Sequence, residues 1–265
     1  MVGSTDILLL PLLITMQESA NVTIDDKIAV TPNLKIYFKI LVSSHLSLRN
    51  SIIKYTPLLK LAILISGRGS NMEAILSAIS LGKIKNVRPS IVISDRPEAA
   101  GLKIASEKFS VSTNTLPGYG LKGSEYDQKL LQVLEDYGVN NSTGCICLAG
   151  FMRVLSCEVV SKYLMRIMNI HPALLPSFPG LRAQKQALDY GVKVSGCTVH
   201  FVDEGIDTGP ILLQRAVPVF DSDTEHLLAQ RILKVEHQLY PEALGLFSEG
   251  NIRIEGRKVS IKKKR

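Results

Sequence analysis

Residues Leu61 to Asn71 read LAILISGRGSN: five consecutive apolar side chains running into a glycine-rich turn. An apolar run without alternation is what a strand buried on both faces, among parallel neighbours and beneath helices, requires. After the turn, Met72, Ile75, Leu76 and Ile79 recur at helical spacing. Strand, tight turn and helix amino terminus together direct backbone N–H groups at an anion. The turn is not the dinucleotide fingerprint, whose third glycine would stand where Met72 is, and no Gly-Lys-Ser/Thr follows. A single phosphate is its natural guest; a plain tight turn is the alternative.

Outward from this unit the same alternation continues. Ser90–Ser94 reads as a second strand, followed by a helix with Ala99, Leu102, Ile104, Ala105 and Phe109 apolar. A third strand is expected within Val111–Leu116, a flexible loop over Gly118, Gly120 and Gly123, and a helix from Glu125 to Tyr137. Cys145–Ala149 is another buried strand, and Ile167-Met168 approaches a further one. Beyond them come a helix over Leu181–Tyr190, a strand over Ser195–Val202 and a strand over Ile211–Val219, where Pro218 points to an edge. Asp221–Glu225 caps a long helix, Glu225–Phe247, and Asn251–Ile254 with Arg257–Ile261 form a terminal hairpin. The order βαβαβαβ with later mixed strands predicts a Rossmann-like α/β fold: a mostly parallel central sheet flanked by helices, with a mixed C-terminal part.

Composition sets bounds. At 265 residues, 46% hydrophobic and 21% charged, the chain is ordinary globular material. The net charge of +7 includes the tail Lys262-Lys263-Lys264-Arg265 and suits anionic small molecules rather than nucleic acid. Cys145, Cys147, Cys157 and Cys197 show no zinc spacing and read as core thiols of a reduced, intracellular protein. Met1 to Lys60 match no pattern: Ile7–Ile14 is too short to span a bilayer, and no Lys or Arg precedes Lys27 as a signal peptide would need. Residues 1–60 are therefore taken as an extension of unassigned role and residues 61–265 as the domain that holds the patterned elements. Cytoplasmic placement is expected, with organellar import left open.

Chemistry concentrates between Ile167 and Asp207. Asn169 and His171 stand one residue apart, so on an extended backbone they share a face while Ile170 points into the core. Pro172, Pro176 and Pro179 stiffen the segment that follows, and the strand Ser195–Val202 ends in the acidic loop Asp203-Glu204-Gly205-Ile206-Asp207-Thr208-Gly209-Pro210. An amide and an imidazolium can hydrogen-bond a developing oxyanion, and a carboxylate can hold the imidazole charged. A surface or capping histidine is the plainer alternative.

Asn-Ile-His-Pro-Ala-Leu-Leu-Pro (169–176) followed by Gly-Ile-Asp-Thr-Gly-Pro-Ile-Leu (205–212) closely resembles the folate-dependent formyltransferases, above all those of purine biosynthesis. The resemblance covers Leu61 to about Ile261. It implies transfer of a formyl group from 10-formyltetrahydrofolate to the amine of glycinamide ribonucleotide, with Asn169, His171 and Asp207 catalytic and no metal. It further implies ribonucleotide binding by Gly69, Ser70, Asn71 and Glu236, and folate binding by Lys122, Met152, Arg153, Val154, Leu155 and Asn169. Met152 and Leu155 would line the pterin cleft; Asp207 would raise the His171 pKa; His200 would hold a supporting position. One helical turn before Glu236 this chain has Leu233 where relatives carry a polar residue, which leaves the outer phosphate contact open. The implied partners are these two small molecules, without nucleic acid or membrane, on a monomer or homodimer. Formyltetrahydrofolate deformylase, methionyl-tRNA formyltransferase and a non-catalytic folate- or nucleotide-binding protein are the alternatives. The first normally carries a regulatory amino-terminal domain and the second an added carboxyl domain.

Overall fold

A computed structural model describes residues 58–118 and 123–262. Residues 1–57 and Lys122 lie outside the described residues, so the expectations placed on them stop there.

Seven strands form one sheet: β1 (Leu59–Ile65), β2 (Val87–Ser94), β3 (Thr113–Thr115), β4 (Gly144–Leu148), β5 (Ile167–His171), β6 (Val194–Phe201) and β7 (Ile211–Pro218). Their order is β3-β2-β1-β4-β5-β6-β7. β1 to β5 pair in parallel, whereas β6 runs antiparallel to both of its neighbours. The mixed part thus begins beside β5, and β7, with Pro218, is the edge. Among the described residues six helices follow in chain order: α1 (Ser70–Ser80), α2 (Ala100–Phe109), α3 (Gly123–Asp136), α4 (Cys157–Lys162), α5 (Ala183–Tyr190) and α6 (Glu225–Ser248). A hairpin, β8 (Ile252–Glu255) and β9 (Lys258–Ile261), closes the described chain around Gly256.

The parity of each parallel strand divides the core in two. Leu61, Ile63 and Ile65 of β1 with Cys145 and Cys147 of β4 face one layer, where α1, α2 and α6 contribute Met72, Ile75, Ala105, Ile232 and Leu244. Ala62, Leu64, Ile146 and Leu148 face the other, against Tyr126, Leu130 and Leu134 of α3 and Val159 of α4. This is why the strands read as unbroken apolar runs: each neighbouring pair of side chains enters a different core.

Three expectations change. The helix after the proline segment starts at Ala183 rather than Leu181, because Arg182 sits at φ 59°, in the left-handed region, and cannot continue a right-handed turn. The third strand shrinks to Thr113–Thr115. Cys145, Cys147 and Cys197 are buried, but Cys157, at the start of α4, is exposed and is not a core thiol. Burial pushes the Cys197 thiol up to about 12. Among the described residues no helix is long and apolar enough to cross a membrane, and no group of three or more His, Cys, Asp or Glu is placed to hold a metal.

Candidate active site

The carboxyl ends of β1, β4 and β5 lie side by side, with β4 in the middle. Adjacent strands are about 4.8 Å apart, so the turn after β1 and the end of β5 face each other across roughly 10 Å, a span suited to small molecules. The order of strands reverses between β1 and β4, the place where open α/β sheets bind ligands.

At the β1 end, Gly69 precedes α1 with φ 73°; a Cβ there would approach the Gly101 Cα to 3.0 Å, so only glycine fits the turn. The amide of Asn71, in the first turn of α1, donates to the Glu236 carboxylate of α6 at 2.7 Å, and both side chains are buried. Burial pushes the Glu236 carboxyl above the usual value, with the Asn71 hydrogen bond opposing. The Asn71 Oδ1 is buried with no partner among the described residues. Leu233, one turn earlier on α6, is half-buried and Lys234 is exposed.

The segment after β4 is fastened to the end of β1. Ser66 donates its backbone N–H to the Gly150 carbonyl at 3.1 Å, and its hydroxyl accepts from the Met152 N–H at 2.8 Å. Met152 is 59% exposed and Val154 79%, whereas Leu155 is buried in the core beneath them, so Leu155 does not face an open cleft. The Arg153 guanidinium lies 4.1 Å from the Tyr126 ring centroid and donates to the Gly118 carbonyl at 3.4 Å. That side chain is held by protein groups, although its Nε finds no partner among the described residues.

At β5, Asn169 and His171 point to one side while Ile170 enters the α6 layer. Asp207, itself at φ 54°, meets both of them. Its Oδ2 stands 3.2 Å from His171 Nδ1 and accepts the Gly180 N–H at 2.8 Å. Its Oδ1 accepts from Asn169 Nδ2 at 3.4 Å and lies 3.5 Å from His200 Nε2. His200 is opposite Asn169 in the β5–β6 register, with its Nε2 3.2 Å from Asn169 Nδ2. The other His171 nitrogen, Nε2, is 2.8 Å from the Phe178 carbonyl.

These contacts revise the expected electrostatics. Burial lowers the His171 pKa more than the Phe178 carbonyl and the Asp207 carboxylate raise it, and His200 lowers it further. The net direction is down, so Asp207 does not hold the resting imidazole charged. Burial alone would raise Asp207, but its hydrogen bonds to His200 and Gly180 and the two imidazoles outweigh that and keep the carboxylate below its usual range.

Sequence reading did not anticipate the Phe178 carbonyl, the Gly180 amide, the Ser66 clasp or the Asn71–Glu236 pair. His200, expected in a supporting position, stands there: Thr198 and His200 alternate along their strand as Asn169 and His171 do on theirs, and the four pair across the register.

The formyl transferase family model matches residues 59–244. The chain belongs to the formyl transferase family. Within this family it is 39% identical over 197 residues to the phosphoribosylglycinamide formyltransferase of Escherichia coli, covering 74% of this chain and 90% of that enzyme. It is 44% identical over 193 residues to the trifunctional purine biosynthetic protein adenosine-3 of Drosophila melanogaster, covering 72% of this chain but only 14% of that much longer protein. Among formyl transferase structures, glycinamide ribonucleotide transformylase 1 from Symbiobacterium toebii superposes with a TM-score of 0.74 at 46% identity, covering 78% of this chain and 95% of that one.

Proposed function

We propose that this chain is a phosphoribosylglycinamide formyltransferase. It passes the formyl group of 10-formyltetrahydrofolate to the amine of N1-(5-phospho-D-ribosyl)glycinamide, yielding the N2-formyl product and tetrahydrofolate in cytoplasmic purine (IMP) synthesis. The convergence of Asn169, His171 and Asp207 at the end of β5, within a strand spacing or two of the glycine turn and the Gly150–Leu155 segment, carries this reading. The ribonucleotide phosphate lies on the turn Gly69-Ser70-Asn71, where backbone N–H groups and the α1 dipole favour an anion. Glu236 takes the ribose. The pterin occupies the cleft by Met152, Arg153 and Val154, with Leu155 packed in the core beneath them, and Asn169 reaches the formyl group; Lys122 belongs to the same folate side.

As the amine attacks the formyl carbon, a C–N bond forms and negative charge gathers on the carbonyl oxygen. Asn169 Nδ2 donates to that oxygen. His171 begins neutral, because burial dominates. The proton released by the amine passes through water at Asp207 to the imidazole, which becomes cationic between two acceptors already in place. His171 Nε2 then turns from the Phe178 carbonyl to the oxyanion, and collapse breaks the bond to N10 of the folate as the imidazolium returns its proton to N10, leaving His171 neutral again.

The test is an assay with 10-formyltetrahydrofolate in the presence and absence of glycinamide ribonucleotide. Formyl loss that requires the ribonucleotide is the expected result. Loss to water alone would replace this reading with a deformylase, and binding without turnover would replace it with a sensor.

A further inference from the structure

We infer that Arg257, in the terminal hairpin, is a positioning residue for the reaction: by gripping the Thr208 carbonyl it fixes the loop that presents Asp207 to His171. This rests on the formyl-transfer reading above. Arg257 Nη2 donates to the Thr208 oxygen at 2.7 Å across 49 residues of chain. The hairpin that carries it lies beyond residue 244, where the family match ends. It is anchored to the body, because Ile252, Ile254 and Val259 pack against the α6-side core.

The loop needs such an anchor. Asp207 adopts φ 54°, a conformation that a non-glycine residue keeps only when its surroundings over-determine it. The amino-terminal half is organised from within, since Asp203 Oδ1 accepts the Gly205 N–H at 3.2 Å and the Thr208 hydroxyl at 2.6 Å. Its base is closed by Phe201 N–H donating to the Pro210 carbonyl at 2.9 Å, and Gly209 allows this, because a Cβ there would fall 1.8 Å from the Phe201 oxygen. The carbonyl that Arg257 holds is that of the residue immediately after Asp207, in the Thr208–Gly209 peptide. Fixing that carbonyl restricts rotation about the Thr208 backbone and so keeps the Asp207 carboxylate in reach of His171. Arg253 on the same hairpin serves as an internal comparison, because its guanidinium pairs locally with Glu255 at 2.6 Å.

The experiment compares the parent chain with Arg257→Ala, Arg257→Lys and Arg253→Ala, by steady-state kinetics and by amide hydrogen exchange over residues 203–210. In Arg257→Ala, kcat should fall about tenfold with KM for both substrates nearly unchanged, the size expected for one charge-assisted hydrogen bond. Exchange in the loop should quicken, Arg257→Lys should recover most of both effects, and Arg253→Ala should show neither. Parental kcat and parental loop exchange in Arg257→Ala would overturn the inference. So would a kcat loss accompanied by faster exchange throughout the sheet, because that is general destabilisation. Should the parent chain fail to transfer formyl groups, the functional reading fails, and the loop exchange of the same variants still decides whether Arg257 is the strap.

Discussion

His171 is pulled in two directions. Both of its ring nitrogens face acceptors, an arrangement that only the doubly protonated ring satisfies fully, yet burial and His200 drive its pKa below the ordinary 6.5. Protonation is thus easier in the unfolded chain than in the folded one. Stability from this group is fully present above about pH 6.5 and is lost as pH falls through that value, because the unfolded state then binds the extra proton. Asp207, held below its usual value, acts in the same direction at lower pH. The melting temperature of the parent should therefore drop between about pH 7.5 and about pH 5.5, and that of His171→Asn should drop less. Equal pH dependence in thermal denaturation would contradict this account. For turnover, Asn169→Ala and His171→Ala should each lose on the order of 10²–10³ in kcat, as removal of one oxyanion donor does. Circular dichroism should stay parental in both, and ribonucleotide affinity should largely survive in His171→Ala. Near-parental turnover by either variant would remove that residue from its role.

Among the elements, α6 does more than cover the sheet. Its Glu236 meets Asn71 at the turn after β1, and its fully buried Tyr240 places a hydroxyl 3.1 Å from the Leu148 carbonyl and 2.8 Å from the Met168 carbonyl. Those two carbonyls immediately precede the Gly150 segment and Asn169, so one side chain stitches β4 to β5 where they feed the site. Tyr240→Phe removes the donor and leaves buried carbonyls short of a partner, at a cost of about 1–3 kcal/mol. Urea denaturation should register it; an unchanged midpoint would show that these carbonyls are satisfied otherwise. The element itself was legible from Thr224, whose hydroxyl accepts the Leu227 N–H, and from its apolar periodicity. Its role as a stitch was not, because Tyr240 reads as one more core aromatic until the ends of β4 and β5 are brought against it.

For the whole molecule, the placement of the domain boundary is the consequential question. The expected start at residue 61 would cut into β1, which begins at Leu59. Leu59 is buried, its N–H donates to the Asn86 carbonyl at 2.8 Å, and that of Lys60 donates to the Thr143 carbonyl at 2.9 Å. We propose that a chain beginning at residue 58 keeps the stability and turnover of the full chain. One beginning at residue 61 should lose about 2–4 kcal/mol, from one buried leucine and two strand hydrogen bonds. Chemical denaturation of the two trimmed chains against the full one distinguishes these outcomes.

The sequence by itself determined the α/β alternation, the glycine turn before α1, the shared face of Asn169 and His171, and the edge position of Pro218. Each of these follows from local physics: side-chain period, the conformational freedom of glycine, the missing proline N–H. Only the tertiary structure decided that β6 turns antiparallel beside β5, which sets His200 across from Asn169. It also decided that Asp207 serves two imidazoles and an amide at once, and that burial lowers the His171 pKa although the Phe178 carbonyl and Asp207 oppose it. Register, burial and the convergence of residues far apart in the chain depend on the sum of all packing, and no single stretch encodes them.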